Sequence, residues 1–468
     1  MKDWQKFFKG KKITQMGLGL LGRGVGDAAF LAECGAEVVV TDLKTEKELA
    51  PSLAKLNQFT NITFHLGGHR LEDFRNRPKP SGDGRRPDFI LKAAGVPLDS
   101  LFITEARKNK IPIEMDASLF VKLAPKGVTI IGVTGTRGKT TTTMMIYEIV
   151  KKFLEVRPQD GKRGLTSKTP RVFLAGNIKD TATLPLFKKV KPGDYVVMEL
   201  DSWQLQGFGE AKMSLPVAVF TTFYPDHMNY YKNDMRAYFA DKANIFKYQK
   251  VGDALVAGEG IPEAARRFWG APLPKTALIA RAADLPADWR LKVPGEHNRA
   301  NAACALAAAR AIKIPEAAIR EALENFAGVQ GRLELVGKVN GVQYYNDTTA
   351  TTPEATVAAL SALDPLGKQN VVLIIGGADK RLDMGALREA VHAHAKEVLL
   401  IAGTGTDRLC AEASDKQVYD SLPEAVAAAK AAATAGDTVL FSPAFASFGM
   451  FDNEYDRGEQ FVKLVKSL

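Results

Sequence analysis

The sequence predicts an α/β protein of three domains: an N-terminal Rossmann-like domain, a central P-loop ATPase-like parallel sheet and a C-terminal Rossmann-like domain. Three observations predict it. Short apolar runs alternate with helical stretches, the pattern of parallel strands joined by helical crossovers. Two glycine loops, at 17–22 and 134–140, each follow an apolar run and precede a helical one. A further set of apolar runs, GVQYYND, NVVLIIGG, EVLLIAG and DTVLFSP, is separated by helical stretches such as SLPEAVAAAKAAAT. A chain of 468 residues is long enough for two to four domains with cores of their own. The expected spans are 1–117, 118–328 and 329–468.

In the first block KITQMGLG reads as a strand, DAAFLAECG as a helix and AEVVVTD as the next strand. Gly17-Leu18-Gly19-Leu20-Leu21-Gly22 is a full GxGxxG, and Asp42 ends the second strand. Two readings fit. One is a dinucleotide site with Asp42 on the ribose. The other is a nucleotide-linked substrate held by the same loop, which a separate phosphate loop later in the chain favours. RPKPSGDGRRP at 77–87 predicts an exposed loop, and IPIEMDASLFVKLAPKG leads into the second block.

The second block opens with Thr129–Thr143, TIIGVTGTRGKTTTT. Its order is strand, glycine loop, helix, and that order cradles phosphate. Glycines let the backbone approach the anion, and the helix N-terminus faces it. Val133 stands where a strict GxxxxGK[ST] has its first glycine. Gly135, Thr136, Arg137, Gly138, Lys139, Thr140 and Thr141 are the expected ATP contacts. Lys139 neutralises the terminal phosphates and Thr140 offers a hydroxyl to Mg2+. DYVVMEL ends in Glu199, an acid at a strand end of the kind that holds Mg2+ in P-loop enzymes. Asp226 and His227 follow a further apolar strand, PVAVFTTF, and Lys242 lies in YFADKANIF. EVRPQDGKRGLTSKTPR at 155–171 predicts a surface excursion. NRANAACALAAARAIKI predicts a helix whose Asn298 and Asn301 share a face and suit an adenine edge.

Composition narrows the class. Apolar residues make up 46% and charged residues 25%, the balance of a soluble globular protein. A net charge of +10 suits anionic ligands, but no arginine-rich block points to nucleic acid. No apolar run approaches the roughly 18 residues that span a membrane. Cys34, Cys304 and Cys410 are isolated, as in a reducing compartment. MKDWQKFFKGKK has no apolar core and does not read as a signal peptide. The expectation is a cytoplasmic enzyme.

GVTGTRGKTTT, AGNI, MELDSWQL, PDHMNYY, YFADKANIF, GEHNRANAACA, NDTTATTPEAT, IIGGADK and SPAFASFGMF resemble, in this order, the Mur ligases. The resemblance covers essentially the whole chain, and SPAFAS with RGEQF at 457–461 is closest to the members that add glutamate. It implies an ATP-dependent amide ligase joining D-glutamate to UDP-N-acetylmuramoyl-L-alanine in peptidoglycan precursor synthesis, the alternatives being the same chemistry with L-glutamate or another acceptor, a folylpolyglutamate-synthase-like ligase, or a nucleotide-binding switch ATPase. A monomer is expected, with Mg2+ as cofactor, in two ions. Gly19, Leu20, Leu21, Asp42 and Asn177 are implied on the UDP-linked substrate, and Asn298, Asn301, Arg332 and Asp347 on ATP. Thr351, Lys380 and Ser447 are implied on the amino acid. The metal set implied is Thr140, Glu199, His227 and a carbamylated Lys242, and the catalytic set is Lys139, His227, Lys242 and Arg332. The chain departs from the family pattern in having Gly331 for a histidine, Thr349 for a lysine and Glu454 for an aromatic residue.

Overall fold

The computed structural model describes residues 3–20, 22–75, 86–156, 169–178, 181–410 and 417–468. Leu21, nearly all of the loop expected at 77–87 and most of the excursion at 155–171 lie outside the described residues. Three sheets form among the described residues. The first contains β1 (Lys12–Met16), β2 (Glu37–Asp42), β3 (Ile62–Leu66), β4 (Phe89–Lys92) and β5 (Ile113–Glu114). The second contains β6 (Thr129–Thr134), β7 (Val172–Gly176), β8 (Tyr195–Glu199), β9 (Val217–Phe220), β10 (Ala254–Gly258) and β11 (Leu278–Ala280). The third contains β12 (Glu334–Val339), β13 (Val342–Asn346), β14 (Val371–Ile375), β15 (Ala395–Ile401), β16 (Val418–Tyr419) and β17 (Thr438–Phe441).

The first sheet runs β3-β2-β1-β4-β5 and is parallel throughout. Strand order reverses at β1, so the GxGxxG loop leaves the sheet at its switch point, where α/β sheets bind ligands. The second sheet, β11-β10-β9-β6-β8-β7, is also parallel. Its β6 lies between β8 and β9, which puts the phosphate loop beside the ends of both neighbours.

The third sheet runs β12-β13-β17-β14-β15-β16. It is Rossmann-like with one addition, since β12 pairs antiparallel to β13. Asn340 and Gly341 form the turn, both with positive φ (49° and 84°), as a tight hairpin requires. β12 is absent from the strands that the sequence predicts; its Leu335 is exposed, and Val336 and Val339 are only partly buried.

The chain divides into two compact units. One runs up to Leu285 and includes Asn301–Leu323; the other comprises Pro286–Ala300 and Glu324–Leu468. In the first unit, Trp4 and Phe8 of the helix Asp3–Phe8 are buried with Phe30, Phe120 and Phe187. Phe120 and Phe187 lie 4.9 Å apart and Phe30 and Phe187 5.8 Å. Burying each such ring stabilises by about 1.5–3 kcal/mol. This cluster ties the helix after the GxGxxG loop to elements of the second sheet. In the second unit both faces of the sheet are covered. Val372, Ile374 and Phe441 pack into one cluster, and Leu373, Ile375 and Leu440 into another. Among the described residues no helix is long and apolar enough to cross a membrane, and Cys34 and Cys304 are free thiols.

Candidate active site

The phosphate loop takes its shape from two glycines. Gly135 and Gly138 have φ of 149° and 81°. A Cβ on Gly135 would lie 2.0 Å from Thr221 Oγ1, and one on Gly138 would lie 2.2 Å from Asn301 Oδ1. The segment after β9 clamps the loop: Thr136 N donates to Thr222 O (2.8 Å) and Arg137 N to Thr222 Oγ1 (2.8 Å). Thr136 Oγ1 donates to Tyr224 O at 3.1 Å. Lys139 opens the helix Lys139–Val156, followed by Thr140 and Thr141, and its Nζ donates to Thr136 O at 3.1 Å. Asn301 accepts from Thr142 Oγ1 at 3.4 Å, so this amide packs on the phosphate loop. Asn298 belongs to the other unit, where its Nδ2 donates to Pro294 O at 2.7 Å.

The strand ends beside this loop carry the expected acids and bases. Glu199 closes β8 and is buried. Asp226 Oδ1 accepts from His227 N at 3.0 Å, and Oδ2 lies 3.7 Å from Arg137 and 3.8 Å from His227 Nε2. Burial pushes the Asp226 carboxyl up, but His227, Arg137 and Lys139 outweigh it and hold it below its ordinary value. His227 has φ 54° and packs on the Trp203 ring, 4.5 Å between centroids. Burial pushes its imidazole down, Asp226 opposes this, and Lys139 and Lys242 add to it, so it lies below its ordinary value.

Lys242 is not a surface lysine. It is 1% exposed in the helix Met235–Ala243, and its Nζ donates to Gly135 O at 2.8 Å. Burial first, and the charge of Lys139 second, push its pKa far below the ordinary lysine value. Tyr238, one turn earlier, places its ring 4.9 Å from Lys242 Nζ and its hydroxyl 3.3 Å from Thr136 Oγ1. The sequence reading missed Tyr238, although its i, i+4 spacing from Lys242 was available. Among the described residues no cluster of three or more His, Cys, Asp and Glu side chains could hold a metal ion.

On the first sheet Asp42 organises the GxGxxG loop. Its Oδ2 accepts from Leu18 N (2.8 Å) and Gly19 N (3.2 Å), and its Oδ1 from Lys44 N (2.9 Å). Ser52 Oγ donates to Gly19 O at 2.9 Å, and Leu20 is left exposed. Asn177 follows β7, its N–H donating to Glu199 O at 2.7 Å and its Oδ1 accepting from Arg23 at 2.6 Å.

The second unit gathers the remaining residues. Asp347, just past β13, accepts from Ser442 Oγ (2.7 Å) and Leu333 N (3.0 Å). Burial pushes its carboxyl up to about 7, with Ser442, Leu333 and Arg332 opposing. Lys380 Nζ donates to Thr351 Oγ1 at 3.0 Å. Ala378 and Ala446 pair as an isolated bridge, which brings the Lys380 loop alongside the loop of Ser447. Thr349 donates to Gly331 O at 2.9 Å, so two departures from the family pattern meet. Glu454 begins the helix Glu454–Lys466, and its carbonyl accepts from Thr348 Oγ1 at 2.9 Å. Arg457, the first residue of RGEQF, has no role assigned from the sequence. It is fully buried and donates to Thr348 Oγ1 (3.1 Å), Thr348 O (2.7 Å) and Phe445 O (3.3 Å), joining the Asp347 and Ser447 loops. Burial lowers its pKa to about 10, which leaves it charged at neutral pH.

Two family models match the chain. Residues 133–268 match the Mur ligase middle domain and 331–445 the Mur ligase glutamate ligase domain. The UDP-N-acetylmuramoylalanine–D-glutamate ligase of Roseiflexus sp. (strain RS-1) is 37% identical, over 98% of this chain and 99% of that protein. Solved structures share the fold, two of them Mur ligases of Thermotoga maritima. The UDP-N-acetylmuramate–alanine ligase MurC of Thermotoga maritima has a TM-score of 0.59 at 21% identity, covering 98% of this chain and 99% of its own. The MurF ligase of Thermotoga maritima, solved in complex with ADP, has a TM-score of 0.56 at 17% identity over the whole of both chains.

Proposed function

The chain belongs to the Mur ligases, on the branch of the UDP-N-acetylmuramoylalanine–D-glutamate ligases, and from that premise we propose that it joins D-glutamate to UDP-N-acetylmuramoyl-L-alanine at the expense of ATP. The observation that carries this reading is the phosphate loop at the carboxyl end of the same sheet as buried Lys242 and the Asp226–His227 pair.

A carboxylate is a poor electrophile at neutral pH. Transfer of the γ-phosphoryl group of ATP to the terminal carboxylate makes an acyl phosphate, whose phosphate then leaves when the glutamate amine attacks. Lys139 and Arg332 supply positive charge to the transferring phosphoryl group. Asn298, Asn301 and Asp347 take the adenosine end. Gly19, Leu20, Leu21, Asp42 and Asn177 take the UDP-linked substrate, and Thr351, Lys380 and Ser447 the carboxylates of glutamate. The proposed domains keep the spans 1–117, 118–328 and 329–468.

The residues present fit Mg2+ once Lys242 is carbamylated. Its amine is buried and driven toward the neutral form, the form that adds CO2. The carbamate would join Thr140, Glu199 and His227 as a hard oxygen donor, which an ammonium cannot be. Bound Mg2+ supplies charge neutralisation on the phosphates.

Phosphate release from ATP by the purified protein tests the reading. It should require both UDP-N-acetylmuramoyl-L-alanine and D-glutamate. Release without an amino acid would make the protein an ATPase switch, and a preference for L-glutamate would overturn the choice of isomer.

A further inference from the structure

One bond joins the carboxyl end of the first sheet to that of the second. Arg23 is the opening residue of the helix Arg23–Glu33, directly after Gly22 of the GxGxxG loop. Its guanidinium reaches Asn177, 154 positions later, and donates to Oδ1 at 2.6 Å. Asn177 sits past β7, where its backbone N–H is fixed on Glu199 O. Arg23 directly follows the first loop, and Asn177 lies at the carboxyl end of the sheet that carries the phosphate loop.

The chemistry of the bond sets the amide's orientation. A guanidinium only donates, so it must face the amide oxygen of Asn177. The Asn177 Nδ2 group, with two donors, is thereby turned the other way.

The arginine is itself anchored. Asp27 lies one turn along the same helix and accepts from Leu184 N at 3.0 Å, in the segment that follows Asn177. A Cβ on Gly26 would lie 2.5 Å from Ala182 Cβ, so the glycine sets the close approach of helix and segment. Asp27 is a buried acid and Asp116 a partly buried one, and the charge of Arg23 offsets part of the cost of each.

We propose that Arg23 is a positioning residue for the UDP-linked substrate, holding the Asn177 amide so that Nδ2 donates to an acceptor oxygen between the diphosphate and the terminal carboxylate. The proposal rests on the function proposed above, which places Asn177 on that substrate.

Five variants test it, with KM and kcat measured for UDP-N-acetylmuramoyl-L-alanine and for ATP, and folding checked by Tm. Asn177→Ala should raise KM for the UDP-linked substrate about tenfold, as for loss of one well-made hydrogen bond, and leave KM for ATP nearly unchanged. Asn177→Asp keeps an oxygen for Arg23 but has no donor to offer, so it should be as impaired as Asn177→Ala while keeping the wild-type Tm. Arg23→Lys keeps the charge beside the acids and should fall between wild type and Arg23→Ala. Arg23→Ala combined with Asn177→Ala should be no worse than Asn177→Ala alone. Wild-type KM in Asn177→Asp, or multiplied defects in the double variant, would overturn the positioning role. Wild-type KM in Asn177→Ala would instead overturn the placement of Asn177 on the substrate.

Discussion

Lys139, Lys242 and Asp347 are three ionisable groups with different surroundings and different expected behaviour. The Lys139 ammonium rests on a loop carbonyl and holds no core together. Lys139→Ala should lower kcat by about 10²–10³ or more, with Tm nearly unchanged, because its charge acts on the transferring phosphoryl group. Lys242 is buried against Gly135 O and Tyr238. Lys242→Ala should lose turnover, and added formate or acetate should restore part of it by supplying the missing carboxylate oxygens. No rescue at any concentration would count against carbamylation. Asp347 is an acid whose folded pKa, about 7, lies above its ordinary 3.8. The fold therefore prefers its protonated form. The stability tied to that preference is complete below about pH 4 and is lost as pH rises through 7. Asp347→Asn keeps an acceptor for Leu333 N and can donate to Ser442 Oγ. Its Tm advantage over wild type should grow from pH 5 to pH 8, and a pH-independent difference would contradict the buried-acid account.

The elements that position the site depend on close approaches that only glycine permits. The phosphate loop is held on one side by the 221–224 segment and on another by Asn301 of the helix Glu296–Ala311. Gly138 is the point of contact, with φ 81° and no room for a Cβ against Asn301 Oδ1. Gly138→Ala should cost about 1–3 kcal/mol of stability by overpacking. It should also weaken ATP binding at least about tenfold, because the loop must move off its clamp. Calorimetric titration with ATP and a thermal melt together check this, and an unchanged ATP affinity would mean the loop is softer than its hydrogen bonds imply. In the second unit Arg457 plays the joining part: one buried guanidinium ties the ends of β13 and β17 to the C-terminal helix.

Across the molecule, the nucleotide of the UDP-linked substrate and ATP are assigned to different sheets, so their effects on stability should separate. Either ligand at about 100 times its Kd should add about 2.7 kcal/mol. In Asp42→Ala the amides of Leu18 and Gly19 lose their acceptor. The thermal shift produced by UDP-N-acetylmuramoyl-L-alanine should then shrink or vanish while the shift produced by ATP persists. Loss of both shifts together would argue against separate sites.

Much of this site was legible in the sequence, because phosphate loops and strand-end acids are local arrangements. Gly135 to Thr140 dictates a backbone path through the positive φ of its glycines and the helix that follows, and no distant residue is needed to recognise it. Glu199 and Asp226 were readable for the same reason, as acids closing or following apolar strands. What only the tertiary structure decided are the partners. Lys242 reads as a surface lysine until Gly135, 107 positions away, is set against it. Arg457 opens the RGEQF motif, but nothing local shows its burial or its partners, since its acceptor on Thr348 lies 109 positions away. Trp4 and Phe8 sit in a charged segment and become core only when Phe30 and Phe187 cover them. Spacing along the chain determines backbone conformation, whereas burial and charge pairing depend on which distant elements the fold brings into contact.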